Sequence, residues 1–431
     1  MKEIDVLIYF EHVVRELDSC LLLKYNLEQL GLTAELATIH CNRYVTFIKY
    51  KPKVVVVPFL FVNKHDIILQ EFKSMYGNVV FLNLHHEQFY NEMTKSHFMP
   101  QNNESRNAYH LSWGKHFAND LIEFGVDKDK IIYAGNPRTD TFYLKPIDEF
   151  LNLKKTYENL IFIPTSFSWA FVSEDYFINN AKIDPDVFKE KRAITLATAE
   201  LYFKHIRFLA QKYPKNIFIL RPHPFEEIET YVYYLKKVDS EKELESNICI
   251  VREGNVYDWL QICDLMIGWI TTVSMEASSF KKKNIIYTPI LLDDTTKTDF
   301  MKLYDNIISD LHSLDNIIAN IQTYNPANTK VQEYIEESMG NVDGKVNYRI
   351  ALAIHDIIQK GVGKQVISIR YFYNVFRSLF IDFPKNILLK LNLLGKFIPL
   401  YNGVIEDMLS YKQISNAYLK IKKRINISIS I

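Results

Sequence analysis

Short apolar runs alternate with longer amphipathic segments along most of this chain. The runs have the length of buried β-strands, and the segments between them have helical spacing, as in residues 17–30, which end at Gly31. The predicted strands span residues 6–10, 54–58, 79–84, 131–134, 160–164, 217–220, 248–251, 265–268 and 284–287. This alternation predicts an α/β protein whose parallel sheets are covered by helices on both faces.

A polar stretch from residue 141 to residue 158 divides the strands into two series. We therefore predict two Rossmann-like, doubly wound domains, residues 1–145 and 159–330, followed by C-terminal helices and a basic tail, residues 331–431. Ligands of open α/β sheets bind beyond the carboxyl ends of the strands. The polar clusters that follow the predicted strands are therefore the candidate functional residues.

One such cluster follows the predicted strand 217–220 with the sequence Arg-Pro-His-Pro. Arg221 and His223 bring positive charge and directional donors, which suit a phosphate group. A hydroxyl cluster some fifty residues later opens a predicted helix, whose amide groups and dipole also favour phosphate. In this cluster, Thr271, Thr272 and Ser274 are predicted to bind phosphate or ribose. Glu276 is predicted to bind the ribose hydroxyls. Together these residues predict a nucleotide-phosphate site.

Structural alternatives exist for each of these residues. Pro224 and Glu226 would support a helix start after the strand, and Thr272 would be an ordinary N-cap. Glu276 would stabilise the positive end of its helix. The aromatic segment 257–260 has the helical spacing of a core stripe. The long excursion 166–198 forms either an acceptor-side lid or a hydrophobic padding.

Five segments together resemble bacterial surface carbohydrate biosynthesis proteins. They are residues 11–18, 112–114, 135–140, 221–224 and 257–260. This group is similar to the GT-B glycosyltransferases, including capsule Kdo transferases, and more distantly to polyglycerol-phosphate transferases. The resemblance covers roughly residues 4–330 and implies two Rossmann-like domains that face a cleft, with the donor nucleotide held mainly by the second. It also matches His223 to the histidine of the His-Pro motif in CMP-sugar transferases. The segment 257–260 resembles a segment that packs near the nucleotide base in the same group, with packing in the core as the alternative.

A catalytic group for such an enzyme is expected from the first domain. Inverting glycosyl transfer needs a carboxylate or imidazole that takes the acceptor proton. The candidates are Glu11, which follows the first strand, and His86 with Glu87, which follow the strand 79–84. Alternatively, Glu11 belongs to an ion-pair network that holds the first helix. Four further residues are expected in the cleft or at the acceptor: Arg15, Arg138, Asp140 and Ser166.

No metal ion or cofactor is expected beside the nucleotide-sugar substrate. Adjacent residues such as His85 and His86 point to opposite faces of an extended segment, which does not suit a metal site. The acidic pairs Asp184 with Asp186 and Asp293 with Asp294 do not follow strand ends that carry phosphate ligands.

Charge is distributed unevenly along a chain of zero formal net charge. Residues 360–431 contain twelve basic and three acidic residues, a net +9 that residues 1–359 balance with −9. Apolar and basic residues mix in the segments 367–380, 387–400 and 411–425, a pattern typical of helices in a membrane interface. The tail is therefore predicted to bind the inner leaflet, so that deleting residues 365–431 would chiefly reduce membrane recovery. Packing on the first domain, or a nucleic-acid patch, is the alternative.

The location expected from the sequence is the cytoplasm. The charged N-terminus leaves no room for the apolar core of a signal peptide, and no segment reaches the roughly 18 uninterrupted apolar residues of a membrane span. Cys20, Cys41, Cys249 and Cys263 lie in apolar segments without metal-ligand spacing, which indicates buried free thiols.

These observations predict a cytoplasmic glycosyltransferase that is peripheral to the inner membrane. It would move a sugar, for example a CMP-activated ulosonic acid such as Kdo, from a nucleotide donor to a surface polysaccharide or lipid-linked glycan. Two alternatives stay open: a polyol-phosphate transferase that uses a CDP-alditol, and a non-catalytic scaffold of a glycan assembly complex. No nucleic-acid partner is expected.

Overall fold

The computed structural model of the 431-residue chain describes residues 1–40, 43–60, 66–90, 95–175, 177–178, 183–224, 226–238, 243–292, 297, 299–304, 307–326, 329–390 and 407–425. Cys41, Asp293 and Asp294 fall outside the described residues, and so does most of the apolar segment 387–400.

Within the described residues the chain forms twelve β-strands. In chain order they are β1 (Lys2–Phe10), β2 (Ala34–Thr38), β3 (Tyr50–Val57), β4 (Val80–Asn83), β5 (Tyr109–Ser112), β6 (Ile131–Tyr133), β7 (Asn159–Pro164), β8 (Asn216–Arg221), β9 (Ile248–Ile250), β10 (Leu265–Gly268), β11 (Asn284–Tyr287) and β12 (Ile307–Ile308). All nine predicted strands are present. β2, β5 and β12 were not predicted, because β2 and β5 contain polar residues and β12 has only two residues.

The α-helices are, in chain order, α1 (Asp18–Gln29), α2 (Arg43–Lys49), α3 (Asp66–Tyr76), α4 (Lys95–Phe98), α5 (Asn103–Arg106), α6 (Lys115–Glu123), α7 (Asp148–Thr156), α8 (Ser168–Phe171), α9 (Pro185–Lys212), α10 (Ile228–Val238), α11 (Val256–Ile262), α12 (Val273–Ser279), α13 (Asp299–Lys302), α14 (Leu311–Ala319), α15 (Thr329–Met339), α16 (Val346–Gln359), α17 (Ile369–Arg377), α18 (Phe383–Lys390) and α19 (Tyr411–Arg424). Two π-helical turns, Val13–Leu17 and Ser378–Asp382, directly precede α1 and α18. Short 3-10 turns cover Lys128–Lys130 and Pro137–Tyr143.

The strands form two six-stranded sheets, in which every pair of neighbours is parallel. The strand order is β2-β1-β3-β4-β5-β6 in the first sheet and β12-β11-β10-β7-β8-β9 in the second. Each sheet therefore has its early strand in the interior and adds strands on both sides, which is the doubly wound arrangement. The predicted α/β class is confirmed.

Two compact units contain these sheets: Met1–Lys145 with Glu336–Ile431, and Pro146–Ile335. Alternate residues of β1 enter two different apolar cores of the first unit, because side chains alternate across a strand: Val6, Ile8 and Phe10 lie on one side, and Leu7 and Tyr9 on the other. Burial on both faces explains why the central strands are continuous apolar runs rather than alternating ones.

The C-terminal part of the chain packs on the first unit. α16 lies against α1, and Ile350 and Ile354 are completely buried in the same core as Ile8. α19 also contacts α1, and its residues Ile414 and Ile421 belong to that core. The third apolar and basic segment of the tail, predicted to lie in a membrane interface, is therefore part of the folded unit because its apolar side is buried in this core.

Candidate functional site

Polar side chains gather beyond the carboxyl ends of β1, β2 and β4 in the first sheet. Glu11 and His12 follow β1, His40 lies two residues after β2, and His86 with Glu87 follow β4. Parallel strands bring these ends to one edge of the sheet. The structure thus brings together the three residues that the sequence predicted to be catalytic, Glu11, His86 and Glu87, around the π-helical turn Val13–Leu17.

His12 is held by a carboxylate from the far end of the chain. Its Nδ1 lies 2.7 Å from Oδ2 of Asp407, and the other oxygen of Asp407 accepts the Val13 N–H at 2.6 Å. A carboxylate accepts hydrogen bonds, so Nδ1 carries the proton and Nε2 of the neutral ring is left as a basic nitrogen. Asp407 therefore selects the tautomer of His12 and also caps the π-helical turn.

Glu11 stands on the other side of the same imidazole. Its carboxylate lies 3.4 Å from His12 Nε2 and 4.0 Å from His40 Nε2. Burial, assisted by the Glu16 carboxylate, raises the pKa of Glu11 in spite of His12. Burial alone would lower the pKa of His12, but the hydrogen bond to Asp407 raises it. Asp407, His12 and Glu11 form a proton-holding chain at the edge of the sheet.

An ion-pair network around Glu16 adjoins the Asp407–His12–Glu11 series. The completely buried Glu16 accepts the Glu11 N–H at 2.8 Å and an Arg15 Nη2 donor at 3.3 Å. Burial would raise the pKa of Glu16, but His86, Arg15, His12 and the Glu11 amide lower it to about 2. Arg15 also lies 3.7 Å from Glu87. The alternative foreseen from the sequence, an ion-pair network around the first helix, thus coexists with the catalytic candidates.

His86 is buried behind this network. Its Nε2 lies 3.9 Å from Cys20 Sγ, and its Nδ1 has no hydrogen-bond partner among the described residues. Burial lowers the pKa of His86 to about 4, so the ring is neutral at pH 7. His85 turns away in a left-handed conformation, with φ of 44°, and its Nε2 lies 2.8 Å from His110 Nδ1. The two adjacent histidines therefore have separate surroundings.

Two of the predicted cleft residues lie in the 3-10 turn after β6. Arg138 is nearly buried, with its guanidinium 5.3 Å from the centre of the Trp113 ring. Asp140 accepts the N–H groups of Val346 and Asn347 at 3.0 and 2.7 Å, at the start of α16. Burial raises the pKa of Asp140 to about 6. The structure thus uses Asp140 to attach α16, an architectural contact that the sequence pattern did not indicate.

In the second unit, Arg221 ends β8 and is almost completely buried. Its guanidinium donates to the carbonyl oxygens of Arg252, Glu253 and Gly254 at 3.2, 2.9 and 2.7 Å. Burial lowers its pKa to about 10, which leaves it charged at neutral pH. Arg221, predicted to be a phosphate ligand, therefore holds the loop after β9 in the structure.

His223 lies half-buried, two residues beyond β8, in a loop that Glu226 organises. The completely buried carboxylate of Glu226 accepts the His223 N–H at 3.3 Å and the Ser168 hydroxyl at 2.8 Å, and Tyr231 also donates to it. Burial raises the pKa of Glu226 to about 7. Glu226 thus joins the loops after β7 and β8 and does more than support a helix start.

The hydroxyl cluster lies beyond β10, with Thr271 and Thr272 half-buried before α12. Ser274 is completely buried, and its Oγ has no hydrogen-bond partner among the described residues. A side chain on Gly268, at the end of β10, would place a Cβ 2.6 Å from that oxygen. Thr272 occupies the N-cap position without a side-chain capping bond, so the N-cap alternative does not apply to its hydroxyl.

Glu276 lies inside the seven-residue helix α12 and is nearly buried. Its carboxylate accepts the Tyr257 hydroxyl at 2.9 Å, and Tyr257 belongs to the aromatic segment 257–260. Trp259 of that segment stacks on Phe150 with ring centres 4.0 Å apart. The segment is therefore packed in the core, and Tyr257 is its contact with the candidate nucleotide residues.

Ser166 is half-buried just beyond β7, at the start of the excursion 166–198. In the described part of this excursion, Phe167 is completely buried and Trp169 stacks on Phe177 at 4.5 Å between ring centres. These contacts correspond to the alternative for this excursion, in which its aromatic side chains pack on a hydrophobic surface.

Sequence reasoning did not select His12, Asp407 or Glu226. His12 stands directly after the chosen Glu11, and Asp407 is one of only three acidic residues in the basic tail. Both residues stand out in the sequence, but their joint role depends on the contact between His12 and Asp407, which are 395 positions apart.

The described residues contain no group of three or more His, Cys, Asp or Glu side chains that could hold a metal ion. None of the helices in the described part of the chain is long and apolar enough to cross a membrane. Cys20 and Cys263 are buried free thiols, and Cys249 is a half-buried one.

No protein-family model matches the chain, and no curated protein is significantly similar to it. Solved structures do match. A putative UDP-N-acetylglucosamine 2-epimerase from Listeria monocytogenes has a TM-score of 0.52 at 12% identity, over 83% of this chain and 98% of that chain. S. aureus MnaA, solved with UDP, gives 0.52 at 13% identity, over 83% and 97%. The wall teichoic acid polymerase TagF gives 0.53 at 13% identity, over 83% and 90%. At this identity the likeness establishes the fold, and the chain has the GT-B fold of two Rossmann-like units.

Proposed function

We propose that this protein is a glycosyltransferase of bacterial surface-glycan synthesis that moves a sugar from a nucleotide donor to a polysaccharide or lipid-linked acceptor. The observation that carries the proposal is the Asp407–His12–Glu11 chain at the carboxyl edge of the first sheet. An enzyme that activates an acceptor needs a histidine base whose tautomer is fixed by a carboxylate. A scaffold does not require such a histidine. The solved structures named above, which include a UDP complex and a polymerase of wall teichoic acid, support the same class.

In this proposal the His12 and Glu11 pair removes the proton of the acceptor hydroxyl. The acceptor oxygen forms the new bond to the anomeric carbon while the bond from that carbon to the donor phosphate breaks. The nucleotide leaves with the bonding electrons, and the proton stays on Nε2 of His12. Asp407 stabilises the resulting imidazolium and keeps the ring in position, which contributes to transition-state stabilisation.

The second unit holds the donor in this proposal. His223 binds the phosphates, the buried Ser274 hydroxyl donates to them, and Thr271 and Thr272 bind phosphate or ribose. Glu276, already in contact with Tyr257, accepts from the ribose. Arg221 acts indirectly, because its donors hold the loop 252–254. The donor in this proposal is a CMP-activated ulosonic acid, used without a metal ion at the cytoplasmic face of the inner membrane.

The test separates nucleotide binding from chemistry. Thermal shifts with CMP, CDP, UDP, GDP, ADP and dTDP are measured for the wild type, His223→Ala and His12→Ala, because a ligand of the native state raises its stability by mass action. We expect one nucleotide family to stabilise the wild type and His12→Ala equally, and His223→Ala far less. Transfer from the matching nucleotide sugar should fall about 100-fold or more in His12→Ala, the range typical of a lost general base.

Exposed histidines provide matched controls, His97→Ala for the first unit and His312→Ala for the second. Both should behave as the wild type. Stabilisation by CDP-glycerol, with no response to CMP-sugars, would replace the sugar donor with a CDP-alditol. Full transfer activity in His12→Ala would refute the assigned base, and the absence of any nucleotide response would favour the scaffold.

A further inference from the structure

Helix α17 has its apolar side turned away from the protein. Ile369 is 87% exposed, Phe372 is 66% exposed and Phe380, in the π-helical turn that follows, is 64% exposed. Phe376, Leu379 and Phe383 are exposed to a similar degree, and each of the six residues lies three or four positions from another of them. This spacing places them along one side of the helix. Soluble domains normally bury such a stripe.

The opposite, polar side of the same helix is the buried one. Asn374 is completely buried, and Ser378 and Asp382, at four-residue steps from it, are almost completely buried. Asn374 donates to the Glu71 carboxylate at 2.9 Å, and Asp382 accepts the Val45 N–H at 2.8 Å. These bonds hold the helix with its polar side towards α2 and α3. The outward apolar side is therefore a fixed feature of the fold.

An ion pair fixes the start of α17 in the same orientation. Arg370 forms a two-pronged contact with Glu71, at 3.0 Å from Nε and 2.6 Å from Nη2. Such fork-like pairs are stronger and more directional than single bonds. The exposed apolar side continues through α18 to Ile387, about 27 Å from Ile369 along a helical path of 18 residue-to-residue steps at ~1.5 Å each.

The charge around this surface is positive. Residues 364–390 contain five basic residues and one acidic residue, Asp382, whose carboxylate points inward to Val45. Glu71, the ion-pair partner of Arg370, cancels one more positive charge, so that five positive and two negative charges leave a net +3. No acidic residue of this segment therefore faces outward with the apolar stripe. A large apolar face within a cationic segment is complementary to an anionic lipid surface, in which the apolar side chains enter the headgroup and acyl boundary. Two copies of this chain would instead bring two cationic segments together.

We infer that the outward side of residues 369–387 is a membrane-docking face, which seats the first unit on an anionic bilayer with α17 and α18 lying in the interface. This inference goes beyond the transfer reaction, because it requires neither a donor nor an acceptor. It also differs from the expectation for the whole tail, because α19 has its apolar residues in the core while α17 exposes them.

The experiment is vesicle co-sedimentation of the full chain. Vesicles of phosphatidylglycerol with phosphatidylcholine are compared with vesicles of phosphatidylcholine alone. The test variant combines Phe372→Ser, Phe376→Ser and Phe380→Ser, and the control combines Phe208→Ser, Tyr233→Ser and Leu291→Ser, three exposed apolar residues of the second unit. We expect the wild type and the control to bind the anionic vesicles, and the test variant to partition at least about tenfold less.

Because the replaced residues are exposed, the thermal midpoint of the test variant should match that of the wild type, which makes lost binding interpretable. Added salt should weaken the binding of the wild type. Equal loss in test and control variants, or no binding of the wild type to anionic vesicles, would overturn the inference. Concentration-dependent dimers that disappear in the test variant, without vesicle binding, would assign the face to a second copy of the chain and also overturn it.

Discussion

At the residue scale, the surroundings of His12 determine which of its ring nitrogens can act as a base. Its two ring nitrogens face two different carboxylates, Asp407 at 2.7 Å and Glu11 at 3.4 Å. The partner on Nδ1 determines which nitrogen is basic, and it also determines the pKa of the ring. The residue that controls His12 therefore lies in the C-terminal segment rather than beside it in sequence.

Replacing Asp407 with Asn should change the pH profile of the proposed transfer reaction. Asn keeps the shape but not the charge, so the pKa of His12, which the hydrogen bond to Asp407 raises, should fall. A base with a lower pKa is deprotonated at lower pH, so the acidic limb of kcat/KM should move to lower pH. The maximum should drop about tenfold or more, because the imidazolium loses its counter-charge. Transfer rates across pH check both effects.

Asp356→Asn, an exposed carboxylate of the same unit, is the control for this change. An acidic limb that stays in place in Asp407→Asn would show that His12 does not titrate in that limb. A loss of activity without any pH shift would reduce Asp407 to a structural cap of the π-helical turn.

Glu226 allows a stability prediction with a defined sign. Burial raises its pKa to about 7 in the folded protein, above the ordinary value of 4.5, so the folded state binds this proton more tightly. The tighter proton binding contributes roughly 3 kcal/mol in total to the free energy of unfolding. This stabilisation is fully present below pH 4.5 and is lost as pH rises through about 7. Glu226→Gln removes the ionisable carboxyl group. The free energy of unfolding of this variant should therefore fall less between about pH 5 and about pH 8 than that of the wild type.

Chemical denaturation at both pH values gives this difference. The neighbouring exposed Glu227, changed to Gln, should leave the pH dependence as it is in the wild type. Identical pH dependence in Glu226→Gln and wild type would mean that the Glu226 carboxyl does not titrate in this range.

At the scale of elements, α17 and α19 show that two helices of similar composition can turn opposite sides towards the protein. Both mix apolar and basic residues, and the sequence assigned both to a membrane surface. In α19 the apolar Ile414 and Ile421 are buried against α1, whereas α17 buries Asn374 and exposes its phenylalanines. The orientation of each helix depends on its partners: an apolar core for α19, and the Glu71 carboxylate for α17.

Ile414→Ala should therefore destabilise the protein. Removing buried methyl and methylene groups typically costs about 2–4 kcal/mol. Leu419→Ala on the same helix, at 57% exposure, should cost much less. Denaturant midpoints of the two variants check the difference. Equal and small effects would mean that α19 does not belong to the core.

At the scale of the whole molecule, the chain returns from the second unit to complete the first. The tail carries Asp407 into the candidate site and Ile414 into the core. Deleting residues 365–431 would therefore remove a site residue and core contacts as well as the apolar face of α17. Reduced membrane recovery, the chief effect expected from the sequence, would then be only one of several effects.

The sequence by itself determined the α/β class, the two series of strands and the edges at which polar residues gather. It could do so because buried parallel strands are continuous apolar runs, and ligand-binding residues follow such strands in sequence. It also selected Glu11, His86 and Glu87 as candidates, which the structure places at one sheet edge, because each lies within four residues of the end of a strand.

Only the tertiary structure decided which partner each charged side chain has. Arg221 and Asp140 were predicted to be ligand-binding residues, and in the structure they also bond to distant parts of the chain. Arg221 donates to backbone atoms 31 to 33 positions away, and Asp140 accepts backbone N–H groups 206 and 207 positions away. Asp407 reaches His12 across 395 positions, and α17 takes its orientation from Glu71. Hydrophobic periodicity is local and strong enough to be visible in sequence. A hydrogen bond between distant residues is specific to one packing arrangement and leaves no periodic signal.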